Sequence, residues 1–120
     1  MAQRTIYVSR LNSNSTQIKL RDSEGHNPGN DQLTTLVDTN DTVVWELDTN
    51  SGLTALTLVK KKSNSPHDLL SIHPHQNTDG TWSATVKSTS PGIGKRETYK
   101  IKYTIGNEEY KDDPVLQMKN

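Results

Sequence analysis

The sequence has no cysteine, no phenylalanine, few apolar residues of any kind and no excess of charge of either sign. Each absence excludes something. Without cysteine there is no disulfide, no thiol nucleophile, no iron–sulfur cluster and no thiolate zinc site. Lys+Arg and Asp+Glu both number 14, so the formal net charge is zero. Affinity for nucleic acid or anionic membrane rests on surplus positive charge, and no nucleic-acid partner is expected, although a local patch such as Lys60-Lys61-Lys62 stays open. No apolar run approaches the roughly 20 residues that cross a bilayer, so no transmembrane segment is expected. Met1-Ala2-Gln3-Arg4-Thr5 has no apolar stretch of signal-peptide type. The chain as written therefore reads as cytoplasmic, or as periplasmic or secreted if a leader has been removed, and the lack of cysteine does not separate the two.

What is present must build a core from little material. The apolar share is 29% over 120 residues, a single-domain length with one thin core spanning 1–120. Trp45, Trp82, Tyr7, Tyr99, Tyr103 and Tyr110 have to supply the large ring volume. Disorder is opposed by period-2 alternation in several short runs, which is the pattern of half-buried strands. Thr98–Ile105 is the clearest, with Tyr99, Ile101, Tyr103 and Ile105 on one face and Lys100, Lys102 and Thr104 on the other. Thr81–Lys87 places Trp82, Ala84 and Val86 together, and Thr42–Leu47 does the same for Val43, Trp45 and Leu47. Gln17–Arg21 alternates too. Thr5–Ser9, Gln32–Asp38, Leu53–Lys61, Leu69–Ile72 and Val115–Met118 are further strand candidates. Leu53–Val59 has apolar residues on both faces and reads as a more buried strand or a short helix.

The connections carry turn chemistry. Asp38-Thr39-Asn40-Asp41 favours a tight turn, because Asn and Asp tolerate left-handed conformations and bond their own backbone. Gly106-Asn107 suits a two-residue hairpin leading into Glu108-Glu109-Tyr110. Asp79-Gly80 and Pro91-Gly92 mark other loops. There is no convincing helix of ten residues and no internal repeat. Many short strands with turn signals at this spacing indicate an all-β sandwich or barrel.

Thr39-Asn40-Asp41-Thr42-Val43-Val44-Trp45 resembles the Gly-Asp-Thr-Val-x-Trp-type segment that enters a central strand in many cupredoxins, with Asn40 in place of the glycine. Glu97–Tyr103 resembles the late cupredoxin strand, and Asp113–Met118 the Asp-Pro-apolar last strand of many cupredoxin-like bacterial proteins. The resemblance covers about the last two-thirds of the chain and implies a Greek-key β-sandwich. An immunoglobulin-like sandwich is the second choice, although the Cys…Trp…Cys signature is absent. The resemblance does not carry copper across. A blue-copper centre needs a cysteine thiolate and two histidines. Here Glu46–Asn50 and Thr104–Glu108 stand where the family places its ligands.

The most suggestive chemical cluster is His67, Asp68, His73 and His75. His73-Pro74-His75 has i, i+2 spacing, which puts both imidazoles on one side of an extended segment, and three histidines with an aspartate suit zinc, copper or nickel. A polar surface loop is the competing reading, and Pro74 argues against a central strand there. Asp22, Glu24, Asn27, Asn30 and Asp31, in the stretch that includes the loop Glu24–Asp31, offer hard oxygens suited to calcium but miss the EF-hand spacing. His26 in that loop reads as solvent-facing. There is no G-x-S-x-G elbow. Glu108-Glu109 and Asp112-Asp113 are adjacent pairs whose members point to opposite faces of a strand. Lys60-Lys61-Lys62 reads as a phosphate or lipid contact, or as an edge-strand guard.

No cofactor and no catalytic residue follow from these patterns. The leading functional reading is a non-enzymatic binding or interaction module on a metal-free cupredoxin-like fold, taking protein or a small ligand at its loop ends, including Glu24–Asp31 and Ser63–His75. The alternative is a metal-binding protein using His67, His73 and His75, and the third reading is a small hydrolase with dispersed residues. The sequence leaves oligomeric state open.

Overall fold

The computed structural model describes residues 2–119. Its ten strands are β1 (Gln3–Arg10), β2 (Ile18–Asp22), β3 (Thr34–Val37), β4 (Thr42–Leu47), β5 (Ala55–Lys61), β6 (Leu70–Gln76), β7 (Trp82–Val86), β8 (Arg96–Ile105), β9 (Glu108–Asp112) and β10 (Val115–Met118), with no helix among the described residues. They form two mixed sheets. One has the order β2-β1-β4-β7-β6, the other β3-β10-β8-β5, with β9 added beside β8. Each sheet contains one parallel pair, β1 with β4 and β3 with β10.

Alternation in the sequence sets which residues turn inward. In β7 the pattern buries Trp82, Ala84 and Val86, and in β8 it buries Glu97, Tyr99, Ile101 and Tyr103. The inward residues of both sheets form one core that includes Ile6, Val8, Trp45 and Leu116. Four of the six aromatics, Trp45, Trp82, Tyr99 and Tyr103, lie in it. Their large rings compensate for the scarcity of aliphatic residues, since each ring buries far more area than a branched side chain.

Turn chemistry fixes the register. Asn40 adopts φ +64°, the left-handed conformation that Asn tolerates in place of glycine, and it brings the Asp41 carboxylate under the sheet. Asp41 is buried and accepts from the amides of Ala2 (2.9 Å) and Asp38 (2.8 Å) and from Arg4 Nε (2.9 Å). Arg4 and Ala2 lie at the start of the chain, so this one side chain locks β1 against β4. Gly106 at φ +62° closes the two-residue β8–β9 hairpin, as a glycine at the first central position of a type II′ turn does. β9 pairs with Ile101–Ile105 and β10 with Arg96–Thr98, so both occupy the same edge of β8 in succession.

Two segments depart from the expected pattern. Leu53–Lys61 is neither a helix nor a deeply buried strand. β5 is the last strand of its sheet, and a register shift between Leu56 and Leu58 lets Leu56 and Val59 both face the core. That extra residue is why the run looks apolar on both faces. β6 extends beyond Ile72 to Gln76 and includes Pro74, at the edge of the other sheet where a missing ladder donor is tolerated.

Candidate functional site

β5 and β6 each end a sheet, and they lie side by side across the core, so two strand edges face one cleft. The cleft has a volume of about 370 Å³. One wall is the unbroken run Leu58–Lys61, and His73, Pro74 and Trp82 complete it. Trp82 is held in place by its own donor, since Nε1 gives a 3.1 Å hydrogen bond to the Leu56 carbonyl of the opposite sheet. The two edges differ. β5 is regular from Leu58 to Lys61, paired in order with Lys102, Ile101, Lys100 and Tyr99. The Lys62 amide donates to the Thr98 carbonyl at 3.0 Å. Alternation then turns the backbone N–H and C=O of Val59 and Lys61 away from β8 and into the cleft. β6 is broken by register shifts on both sides of Ile72, and Pro74 has no N–H to offer.

A buried polar group lies behind His73. Glu97 is fully buried; its Oε1 accepts from the Leu69 amide at 2.8 Å, and Oε2 has no donor. Burial pushes its carboxyl up to about 7, and the nearby Asp68 carboxylate adds to the rise. Glu97 and Asp68 interact through their carboxyl groups, and a proton on Glu97 supplies the donor that two carboxylates lack. Burial pulls Asp68 upward, but the Leu70 amide, the Glu97 carboxyl and His73 outweigh it, and Asp68 is held below the ordinary carboxylate range. Its Oδ1 accepts from the Leu70 amide at 3.2 Å, and its Oδ2 lies 3.7 Å from His73 Nε2. Asp68 thus connects the buried Glu97 to His73 on the cleft wall.

Of the residues singled out in the sequence, His73 and Asp68 come together here. His67 lies in the loop before β6, half-buried, with its carbonyl accepting from Ser65 Oγ at 2.8 Å. His75 is exposed, with Nδ1 3.2 Å from the His73 carbonyl and Nε2 3.4 Å from Ser83 Oγ. His67, His73 and His75 form no set whose ligand atoms lie within 4.8 Å of one another; among the described residues that criterion is met by Asp22, Glu24 and His26. The Asp22 carboxylate is already committed. It accepts from the amides of Glu24 (3.0 Å) and His26 (3.1 Å) and from Thr35 Oγ1 (3.0 Å), and lies 2.8 Å from His26 Nδ1. Glu24 Oε2 is paired with Arg4 at 3.0 Å. The group ties the Glu24–Asp31 loop to β1 and β3, and His26 is a partner in it rather than a free side chain.

The face of β5, β8 and β9 that points away from the core is basic. Lys60 stands directly opposite Lys100, and Lys102 directly opposite Lys111. Lys60–Lys62, Lys100 and Lys111 line a second hollow of about 500 Å³ next to the cleft. Lys62 is paired with Asp113 at 3.1 Å and Lys102 with Glu109 at 3.7 Å. Glu97 and the Lys60–Lys100 juxtaposition are features that residue spacing alone did not single out. For Glu97 the signal was available, because continuing the alternation of Tyr103, Ile101 and Tyr99 back by two residues lands on it. The chain matches no protein-family model and no curated protein.

Proposed function

We propose that the domain is a non-enzymatic binding module on a cupredoxin-like Greek-key β-sandwich without a copper centre, and that its ligand occupies the cleft between β5 and β6. Support for the fold comes from the strand order. β3 leaves the sheet of β1 and β2 to join the other, and β4 returns to lie parallel to β1. The left-handed Asn40 before Asp41 and Trp45 fits the segment that carries the family resemblance.

The observation that carries the functional reading is the cleft itself: an apolar surface from Leu58, Val59, Pro74 and Trp82, with Lys60, Lys61 and His73 as its polar members. Sites for small ligands have this composition and size. The loop ends named from the sequence contribute less than these two strand edges. A hydrolytic reading would require a nucleophile beside His73. The described hydrogen bonds place Ser83 with His75 and Asn77 instead.

The test uses anilinonaphthalene sulfonate, an apolar ring system with one anionic group, titrated into the whole chain. Expected are saturable fluorescence and amide and indole shifts confined to Leu58–Lys61, His73 and Trp82. Leu58→Asp, a change at a half-buried edge position, should abolish both. Shifts scattered over the surface would overturn the cleft as the site. Turnover of a nitrophenyl ester that His73→Ala removes would overturn the non-enzymatic reading.

A further inference from the structure

The geometry points to a specific partner for this cleft: an extended peptide segment with acidic and apolar residues in alternation, added as a strand to the free edge of β5 at Leu58–Lys62. The inference rests on the cleft being the binding site and goes beyond it by naming the occupant.

Three independent features converge on that occupant. The first is the backbone. Val59 and Lys61 direct N–H and C=O groups into the cleft, and neither strand edge there is paired with another described strand. Unpaired strand edges are templates for an added strand. β6 is the poorer template because its register breaks twice and Pro74 lacks a donor. The second is the alternation that any added strand would obey. Its side chains would point alternately inward, over Val59 and Trp82, and outward, beside Lys60 and Lys62. The inward positions meet the apolar cleft with Lys61 beside Val59, and the outward positions meet Lys60 and Lys62.

The third is the charge pattern. Lysines on an edge strand are an ordinary guard against unwanted pairing. That accounts for Lys60–Lys62 but not for Lys100, which lies on β8 between β5 and β9 and guards no edge; Lys102 and Lys62 already have Glu109 and Asp113 as partners. Like charges directly opposite in a sheet are destabilising, and the chain, neutral overall, places Lys60 opposite Lys100. Carboxylates on a strand added along β5 would neutralise that pair. A second copy of the chain would not, since pairing β5 with β5 would place Lys60–Lys62 against the same lysines.

The experiment uses the whole chain and a nine-residue synthetic peptide alternating glutamate and valine, with lysine replacing glutamate in a control peptide. Amide exchange and nitrogen–proton correlation spectra are the readouts. The expected result is protection of the Val59 and Lys61 amides on binding the glutamate peptide, no binding of the lysine peptide, and affinity that falls with salt. Lys60→Glu, a surface change that leaves the core untouched, should weaken binding by about tenfold or more, the scale of one close charge contact reversed. Equal binding of both peptides, or binding without protection of Val59 and Lys61, would overturn the added strand. Polyphosphate binding as tightly as the glutamate peptide would also overturn it, by assigning the lysines to polyanions in general. If the sulfonate dye occupies the cleft but the peptide does not bind, this inference fails and the cleft stands as a ligand site. If neither binds, both fail.

Discussion

The Trp45 indole donates a 3.1 Å hydrogen bond from Nε1 to the Tyr99 hydroxyl in the centre of the core. The rings meet edge to face, with centroids 5.3 Å apart and planes at 66°. Trp45 belongs to β4 in one sheet and Tyr99 to β8 in the other, so the pair fixes the distance between layers as well as filling it. Both are essentially inaccessible to water, so a lone indole N–H has nowhere else to bond. Tyr99→Phe keeps the ring and removes the acceptor. We expect it to cost about 1–3 kcal/mol, the penalty of an unsatisfied buried donor, read from the urea midpoint. Tyr99→Leu adds a cavity and should cost more, roughly 3–5 kcal/mol. A Phe variant as stable as the parent would mean that packing alone sets the layer spacing.

Asp41 makes the second structural prediction. Its carboxylate is buried and serves the Ala2 amide, the Asp38 amide and the Arg4 guanidinium together. The Arg4 guanidinium is in turn held above its usual range, chiefly by the bond to Asp41. Asp41→Ala leaves Arg4 mostly buried with the Glu24 pair and the weaker influence of Asp38. The loss should be about 3 kcal/mol, since hydrogen bonds to charged groups and broken half-buried pairs both fall in that range. Hydrogen exchange should show β1 opening first, because Ala2 and Arg4 lose their anchor. Uniform loss of protection across both sheets would instead mean that Asp41 has no local role.

The strands were legible in the sequence wherever alternation was unbroken. β4 and β10 match the expected limits of Thr42–Leu47 and Val115–Met118, and β8 extends two residues further than expected at its start. Legibility failed at the bulges. In β5 an extra residue at the Leu56–Leu58 shift changes the parity of everything beyond it, and period-2 reasoning cannot anticipate such a shift. The cleft was not legible for a different reason. Trp82, His73 and Leu58–Lys61 come from three strands of two sheets, and only the topology brings them together. The proximity of His67, His73 and His75 in sequence suggested a shared ligand. The same topology pairs His73 with Asp68 and His75 with Ser83.

Glu97 gives the pH prediction. Its carboxyl titrates at about 7 in the folded chain against an ordinary 4.5, raised mainly by burial. Between those values the folded state keeps a proton that the unfolded state has lost. Stability is therefore fully present below about pH 4.5, falls as pH rises toward 7, and levels off above it. The full drop from this group is about 3 kcal/mol. Asp112, also raised to about 7 by burial and by Asp31, adds a drop of the same sign that begins lower, near its ordinary 3.8, while the lowered Asp31 opposes part of it. Glu97→Gln keeps an oxygen for the Leu69 amide and an N–H for Asp68. It should match the parent at pH 4.5, exceed it at pH 8, and flatten the slope between, measured as urea midpoints across that range. A slope unchanged by Glu97→Gln would place the titration elsewhere.

The basic face makes a prediction that separates stability from binding. Lys60 and Lys100 are directly opposite on β5 and β8. Reversing one of them turns a repulsive cross-strand pair into an attractive one. Lys60→Glu should therefore stabilise the fold by about 0.2–1 kcal/mol, the range of cross-strand charge pairs. The gain should shrink in high salt, because exposed charges are screened. The same substitution should weaken the acidic peptide at the β5 edge. Opposite signs in the two measurements identify the lysines as retained for a ligand at a cost to the fold. Loss of both stability and peptide binding would mean instead that Lys60 supports β5 through its aliphatic stem, and that the peptide result reports a damaged edge.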